Sequence, residues 1–157
     1  MKTPILLIAL SILSTTCKGQ ELKERELVKN VIIAFQDDFN EGSFKNASSY
    51  TTSDWEHINP KGGISIGRTN VLKEVRAVHQ SFLKGVKMKI ETIEIRFLTP
   101  TVAVADAIHL LDDFTTPDEK IHKNERHIKT YIIIKQEGKW LLAHDHNTVI
   151  SNKKIKN

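Results

Sequence analysis

Ten residues, Met88–Phe97 (MKIETIEIRF), carry the pattern from which the architecture follows. Met88 and Ile90 alternate with charged neighbours, and so do Ile93, Ile95 and Phe97, which is the two-residue period of a half-buried strand. The parity slips at Glu91-Thr92, so the spacing predicts a β-bulge and a bent strand. Downstream, Thr99-Pro100 turns the chain into a second strand, Val102–Leu111 (VAVADAIHLL). Asp112 to Lys123 reads as a polar loop containing Pro117, Asn124 to Lys135 as a long strand, and Glu137-Gly138 as a tight turn. The last strand is Lys139–Ile150 (KWLLAHDHNTVI).

Upstream the period changes. Leu27, Val31, Phe35 and Phe39, with Val28 and Ile32 beside them, form one apolar stripe of an amphipathic helix over Glu21–Asn40, stopped by Gly42. Ser43 to Tyr50 suits a second short helix. Trp55–Ile58 and Ile64–Ile66 flank Asn59-Pro60-Lys61-Gly62-Gly63, a hairpin signature. Thr69 can cap a further helix, with Leu72, Val75, His79 and Phe82 on its stripe and Gly85 at its end. Helices first and antiparallel strands afterwards specify an α+β fold rather than alternating α/β. A long bent sheet with helices on one face encloses a hollow.

The chain has 157 residues, 39% hydrophobic and 27% charged, and a net charge of +4. That composition excludes a disordered tail, a collagen-like repeat and a disulfide-stapled mini-domain. One cysteine allows no intramolecular disulfide. No nucleic-acid-binding motif accompanies the modest positive charge, so no nucleic-acid partner is expected. Residues 1–20 read as an export signal: a basic start, Met1-Lys2, then the nine-residue apolar run Ile5–Leu13, too short to span a bilayer. Ser14-Thr15-Thr16-Cys17 resembles a bacterial lipobox, with Ser14 and Thr16 departing from its usual residues. Two outcomes stay open, a lipoprotein anchored through Cys17 or a secretory signal cut near Gln20. Both place the mature chain outside the cytoplasm, periplasmic or membrane-anchored, with membrane contact only through a lipid on Cys17. Residues 21–150 form one domain, and 151–157 a basic tail carrying Lys153, Lys154 and Lys156.

A set of motifs runs along this domain: Phe39-Asn40-Glu41-Gly42-Ser43, Trp55, Asn59-Pro60-Lys61-Gly62, Gly67-Arg68, His79, Phe82 and Trp140 to Thr148 (WLLAHDHNT). Their order and spacing resemble the SnoaL-like, SgcJ/EcaC-type branch of the nuclear-transport-factor-two-like superfamily, from about Leu22 to Ile150. Ser43 stands where relatives often carry Asp. The resemblance implies a cone-shaped curved antiparallel sheet wrapped around N-terminal helices, a cystatin-like α+β barrel. It also implies a deep pocket and a homodimer formed through the outer face of the sheet. Because this fold hosts many unrelated activities, function rests on the site. No G-x-G-x-x-G follows a strand, and no other dinucleotide fingerprint is present, so no cofactor is expected.

His144 and His146 lie two apart on one strand and share a face. Unbroken alternation puts them with Trp140, Leu142 and Thr148, and turns Asp145 and Asn147 to the other side unless a bulge intervenes. Either histidine can serve as a base near neutral pH. A metal pair is conceivable, but no third ligand is specified nearby, so no metal is expected. Asp106 interrupts a run of Val and Ala, where an unpaired carboxylate is costly. It faces the hollow, in contact with Arg126 on the neighbouring strand, or else it lies on the outer face. His146 and Asp106 are the candidate catalytic residues. Trp55, His57, His79, Arg126, His144 and Asn147 are the candidate ligand-binding residues, with Phe35, Phe82 and Ile128 lining the hollow. Trp55 and His79 also suit purely structural roles in the wall and core.

Two functions remain open. In the first, an exported pocket protein binds a small, largely apolar organic molecule bearing a carbonyl or hydroxyl. It would then carry out metal-free acid/base chemistry: isomerisation, cyclisation or hydrolysis. In the second, the same fold is a non-catalytic ligand-binding or dimeric assembly module.

Overall fold

The computed structural model describes residues 6–151, with side chains from Gly19 onward. The basic start and the Lys153–Lys156 tail lie outside the described residues, as does the Cys17 side chain.

The first helix, α1 (Leu6–Glu41), is continuous with the leader segment rather than beginning at Glu21. It is followed by α2 (Ala47–Tyr50), the hairpin β1 (Thr51–Ile58) and β2 (Ile64–Ile66), and α3 (Arg68–His79). Four long strands come next: β3 (Met88–Thr99), β4 (Val102–Leu111), β7 (Arg126–Gln136) and β8 (Lys139–Val149). Between β4 and β7 the expected polar loop holds a small hairpin of its own, β5 (Phe114–Thr115) and β6 (Ile121–His122). No described helix is long and apolar enough to cross a membrane.

The main sheet has six strands in the order β2-β1-β8-β7-β4-β3. All pairings are antiparallel except β1 beside β8, which run parallel. The bulge anticipated at Glu91 is present, as a register shift between Ile90 and Thr92. Helix α1 lies against the sheet and buries Val28, Val31, Ile32, Phe35 and Phe39, while Leu27, expected on the same stripe, is exposed. Phe35 is central: its ring meets Phe44, Trp55 and Tyr131 at tilted or edge-to-face angles, an arrangement favoured by the ring quadrupoles.

The helix also guards an edge. Asn40 exchanges hydrogen bonds with the Met88 backbone, Gln36 accepts from the Ile90 amide, and Arg25 donates to the Ile95 carbonyl. These contacts occupy backbone groups on an edge strand that is otherwise open to pairing. Beside Arg25 on α1, Glu24 takes the Lys135 ammonium and the Trp140 indole N–H at 2.6–2.8 Å. The Asn59-Pro60-Lys61-Gly62-Gly63 motif is a structural turn. Asn59 Oδ1 accepts the Lys61 and Gly63 amides, and its Nδ2 donates to Glu74 on α3. A Cβ on Gly63 would sit 2.5 Å from Asn59 Nδ2, so this position excludes any larger residue without movement.

The two faces of the sheet are sorted unexpectedly. On β7 the inward residues are His127, Lys129, Tyr131 and Ile133, and on β4 they are Ala103, Ala105, Ala107, His109 and Leu111. The residues alternating with them are Arg126, Ile128, Thr130 and Ile132 on β7, and Val104, Asp106, Ile108 and Leu110 on β4. On β7 the buried parity carries His127 and Lys129 while Ile128 and Ile132 face outward, the reverse of ordinary strand patterning, whereas β4 buries three alanines and Leu111 beside one histidine.

Candidate functional site

Strand β8 decides which side chains enter the interior. Its register against β7 shifts between Ile132 and Ile133, whose partners are His144 and Leu142. Ala143 is the extra residue of a second bulge, which inverts the alternation that follows. Trp140 and Leu142 point inward before it, and Asp145 points inward after it. His144 and His146 consequently face outward. His144 stands 3.5 Å from Glu56, and His146 is exposed.

Asp145 is completely buried and accepts three donors. Trp55 Nε1 donates to Oδ1 at 2.7 Å, while His57 Nδ1 at 2.6 Å and Lys129 Nζ at 2.9 Å donate to Oδ2. Burial alone would raise the carboxyl, but the Lys129 ammonium and the His57 imidazole more than offset it and hold Asp145 below the usual carboxylate range. Lys129 is buried too, and desolvation lowers its pKa against the pull of Asp145. Its ammonium lies 3.7 Å from the Phe35 ring centroid and 5.4 Å from that of Tyr131, so aromatic faces replace part of its lost hydration. A carboxylate only accepts, so His57 carries a proton on Nδ1. The His57 side chain keeps 8% of its exposure, whereas that of Asp145 keeps none. This pairing of an oriented imidazole with a buried carboxylate is the geometry of a general base.

Beyond the Asp145 cluster, Tyr131 Oη meets His109 Nε2 at 2.8 Å. Burial, together with the nearby Lys129 and His127 charges, pulls the His109 pKa down to about 3. At the same end of the sheet, Glu125 bridges two imidazoles, accepting from His122 Nδ1 at 2.6 Å and His127 Nε2 at 2.8 Å. His127 Nδ1 in turn lies 3.0 Å from Asn147 Oδ1. Phe114 stacks on His122 and tilts against Phe82. The hairpin β5–β6 thus ties the α3–β3 connection to the start of β7. Among the described residues, no three His, Cys, Asp or Glu side chains converge as metal ligands.

These placements decide between the alternatives left open for some residues and correct the expectation for others. Asp106 is on the outer face, where it accepts a hydrogen bond from Thr130. Arg126 does not reach it: half exposed, it forms a two-point pair with Glu91 at 2.7 and 2.8 Å. Ile128 is 38% exposed on the outer face rather than lining a hollow. His79 is a core residue bonded through Nδ1 to the Val75 carbonyl and set edge-on between Phe39 and Phe44. Trp55 and His57 are brought together at Asp145, and Asn147 turns in beside His127. Sequence reasoning missed Lys129, Tyr131 and His109 as interior groups and assigned Asp145 to the wrong face. The alternation His127, Lys129, Tyr131 was the available signal. Two surface clefts lie elsewhere. One, of about 370 Å³, runs between α1 and β3 past Arg25, Lys29 and Glu91. The other, of about 640 Å³, lies near Ser48, Gln136 and Leu141.

The model of the SnoaL-like domain matches residues 28–151, and the chain belongs to that family. A Caulobacter vibrioides protein with a cystatin-like fold is 23% identical, with TM-score 0.77 over 82% of this chain and 90% of its own. An NTF2-like protein of cystatin-like fold from Novosphingobium aromaticivorans is 11% identical, with TM-score 0.73 over 88% and 90%. A candidate scytalone dehydratase from the same organism is 14% identical, with TM-score 0.70 over 88% and 93%. These likenesses establish the NTF2-like, cystatin-like α+β fold. No curated protein matches the chain.

Two tests follow from the geometry. Asp145→Asn leaves the Lys129 ammonium buried without its counter-charge and should cost about 3–5 kcal/mol in urea unfolding. Adding Lys129→Met should recover much of that loss. The second concerns pH. Burial lowers the pKa of both His79 and His109, so each binds a proton less readily when folded than when unfolded, where a histidine titrates near about pH 6.5. The unfolded chain then binds more protons, and stability falls as pH drops, by about 1.4 kcal/mol per unit for each fully shifted histidine. Unfolding midpoints between pH 7 and pH 5 should show a shallower slope in His79→Leu than in the parent.

Proposed function

We propose that this SnoaL-like protein binds a small, largely apolar organic molecule at the histidine-rich end of its sheet and acts on it with His57 as general base. The observation that carries this reading is the 2.6 Å hydrogen bond from His57 Nδ1 to a carboxylate with no exposure, which fixes the imidazole and turns Nε2 away from Asp145. The Trp55 and Phe35 rings lie beside the cluster and give an apolar ligand aromatic surface next to the base. The chemistry is proton transfer leading to isomerisation, cyclisation or hydrolysis, with Asp145 and Lys129 holding the base in place. The protein acts after export, anchored by a lipid on Cys17 or freed by cleavage near Gln20. The apolar run Ile5–Leu13 supports this, as does a family match that begins only at residue 28.

Native mass spectrometry of protein purified from its source should reveal a retained small molecule and the mass of the mature N-terminus. Turnover of that molecule should fall by about 10²–10⁴-fold in His57→Ala. Unchanged turnover in that variant refutes the assignment of the base.

A second reading, a dimeric ligand-binding or assembly module without catalysis, is favoured by the outer face. Val104 pairs with Ile132 and Ile108 with Ile128 there, with the Asp106–Thr130 pair between them, and Ile64 and Ile66 are exposed at 61% and 62% on the β2 edge, beyond β8 and β1. Such an apolar sheet face suits a second copy of the chain. Sedimentation equilibrium should give a dimer that Ile132→Asp dissociates. A monomeric parent chain would remove this interface.

A further inference from the structure

We infer that the end of the domain bearing Leu22, Leu98 and Pro100 sits on a lipid bilayer and holds the Asp145 cluster away from it. This seating deepens the export reading above, in its lipid-anchored form, and rests on it.

Two leucines converge where the domain meets the leader. Helix α1 follows β3 in the opposite direction, with Asn40 at Met88, Gln36 at Ile90 and Arg25 at Ile95. Leu22 lies two heptads before Gln36 and so shares nearly the same helical face. Going back from Arg25 to Leu22 and forward from Ile95 to Leu98 leads to one end of the molecule. A further register shift between β3 and β4, from Phe97 to Thr99, leaves Leu98 without a partner on β4. Such a bulge re-aims the side chain. Leu22 is 64% exposed and Leu98 55%, and Pro100 is exposed next to Leu98. A lone exposed leucine is ordinary. Two at one end, one of them turned out by a bulge, make a contact surface.

The leader selects the partner. Cys17 precedes Leu22 by five residues, about 8 Å along a helix and about 17 Å even fully extended. Strands β7 and β8 have 11 residues each, about 36 Å at the usual rise. A tether that short, ending in an acyl anchor, brings this end of the sheet to the bilayer and leaves the far end clear. The β7–β8 turn belongs to the near end, because Gln136 pairs with Lys139 and the Lys135 amide meets the Thr101 carbonyl. Lys139 there and Lys23 on α1 are exposed, and their ammonium groups suit anionic headgroups. Glu21 and Glu24 are already paired with Arg25 and Lys135, while Glu137 in the turn opposes the attraction. Asp145 lies about 20 Å along β8 from Lys139. The β5–β6 hairpin joins Leu111 to Arg126 at the opposite end.

The full chain, made with its leader in a bacterial host, can carry an environment-sensitive dye at Thr101→Cys or at Ile121→Cys. Both positions are exposed, the first in the β3–β4 turn and the second on the β5–β6 hairpin. A Cys17 sulfur carrying a diacylglyceryl group does not take the dye. In vesicles of phosphatidylcholine and phosphatidylglycerol with brominated acyl chains, the dye at position 101 should be quenched at least about twofold more than at position 121. Leu22→Asp with Leu98→Asp should abolish most of that difference, while the lipid on Cys17 keeps the chain on the vesicle. Equal quenching at the two positions in a chain whose mass includes the lipid overturns the inference and leaves the anchor standing. A difference that survives the double substitution also overturns it. A mature mass without a lipid on Cys17 removes the anchor, and the seating falls with it.

Discussion

A carboxylate sealed inside a protein must be met by donors, and Asp145 is met by three from three separate strand positions. That requirement organises the molecule. Trp55 and His57 come from β1, Lys129 from β7 and Asp145 from β8, so the cluster crosses the parallel β1–β8 seam and the antiparallel β7–β8 seam at once. Mutual neutralisation with Lys129 makes burial tolerable, and the Phe35 face completes the surroundings of the ammonium. The same bonds that satisfy the charge also orient His57. Structural necessity and chemical potential are here one arrangement.

Placing polar groups inside has a consequence on the opposite face. Strands alternate, so when His127, Lys129 and Tyr131 turn inward, Ile128 and Ile132 turn outward. The sheet thus spends part of its aliphatic surface on its exterior. Helix α1 closes the interior from the other side and covers the β3 edge with Asn40, Gln36 and Arg25. The motifs of the family resemblance divide between these jobs. Asn59 and Gly63 build a turn, His79 packs a helix corner, and only Trp55 and the Trp140–Thr148 segment contribute to the polar interior.

Much of the fold was legible because its signals are local. The bulge at Glu91 could be read from Met88–Phe97, since apolar and charged residues there alternate cleanly and any slip is visible. The bulge at Ala143 could not. Leu141, Leu142 and Ala143 are apolar at both parities, so no break in pattern marks the extra residue, and His144 and His146 were assigned the face that Asp145 occupies. Arg126 and Ile128 were misplaced for a related reason. Hydrophobic patterning assumes that the aliphatic parity is the buried one, and on β7 a charge-paired interior reverses that assumption.

By itself the sequence determined the order of elements, the α+β class and the position of most turns. Helical and strand periods, glycines and prolines act over a few residues and need no knowledge of distant partners. Which side chains form the interior was decided only by tertiary structure. One residue of register on β8 exchanges its two faces, and that register is selected by what Asp145 meets across two seams: Trp55 and His57, nearly ninety residues away in the chain, and the Lys129 ammonium on the neighbouring strand.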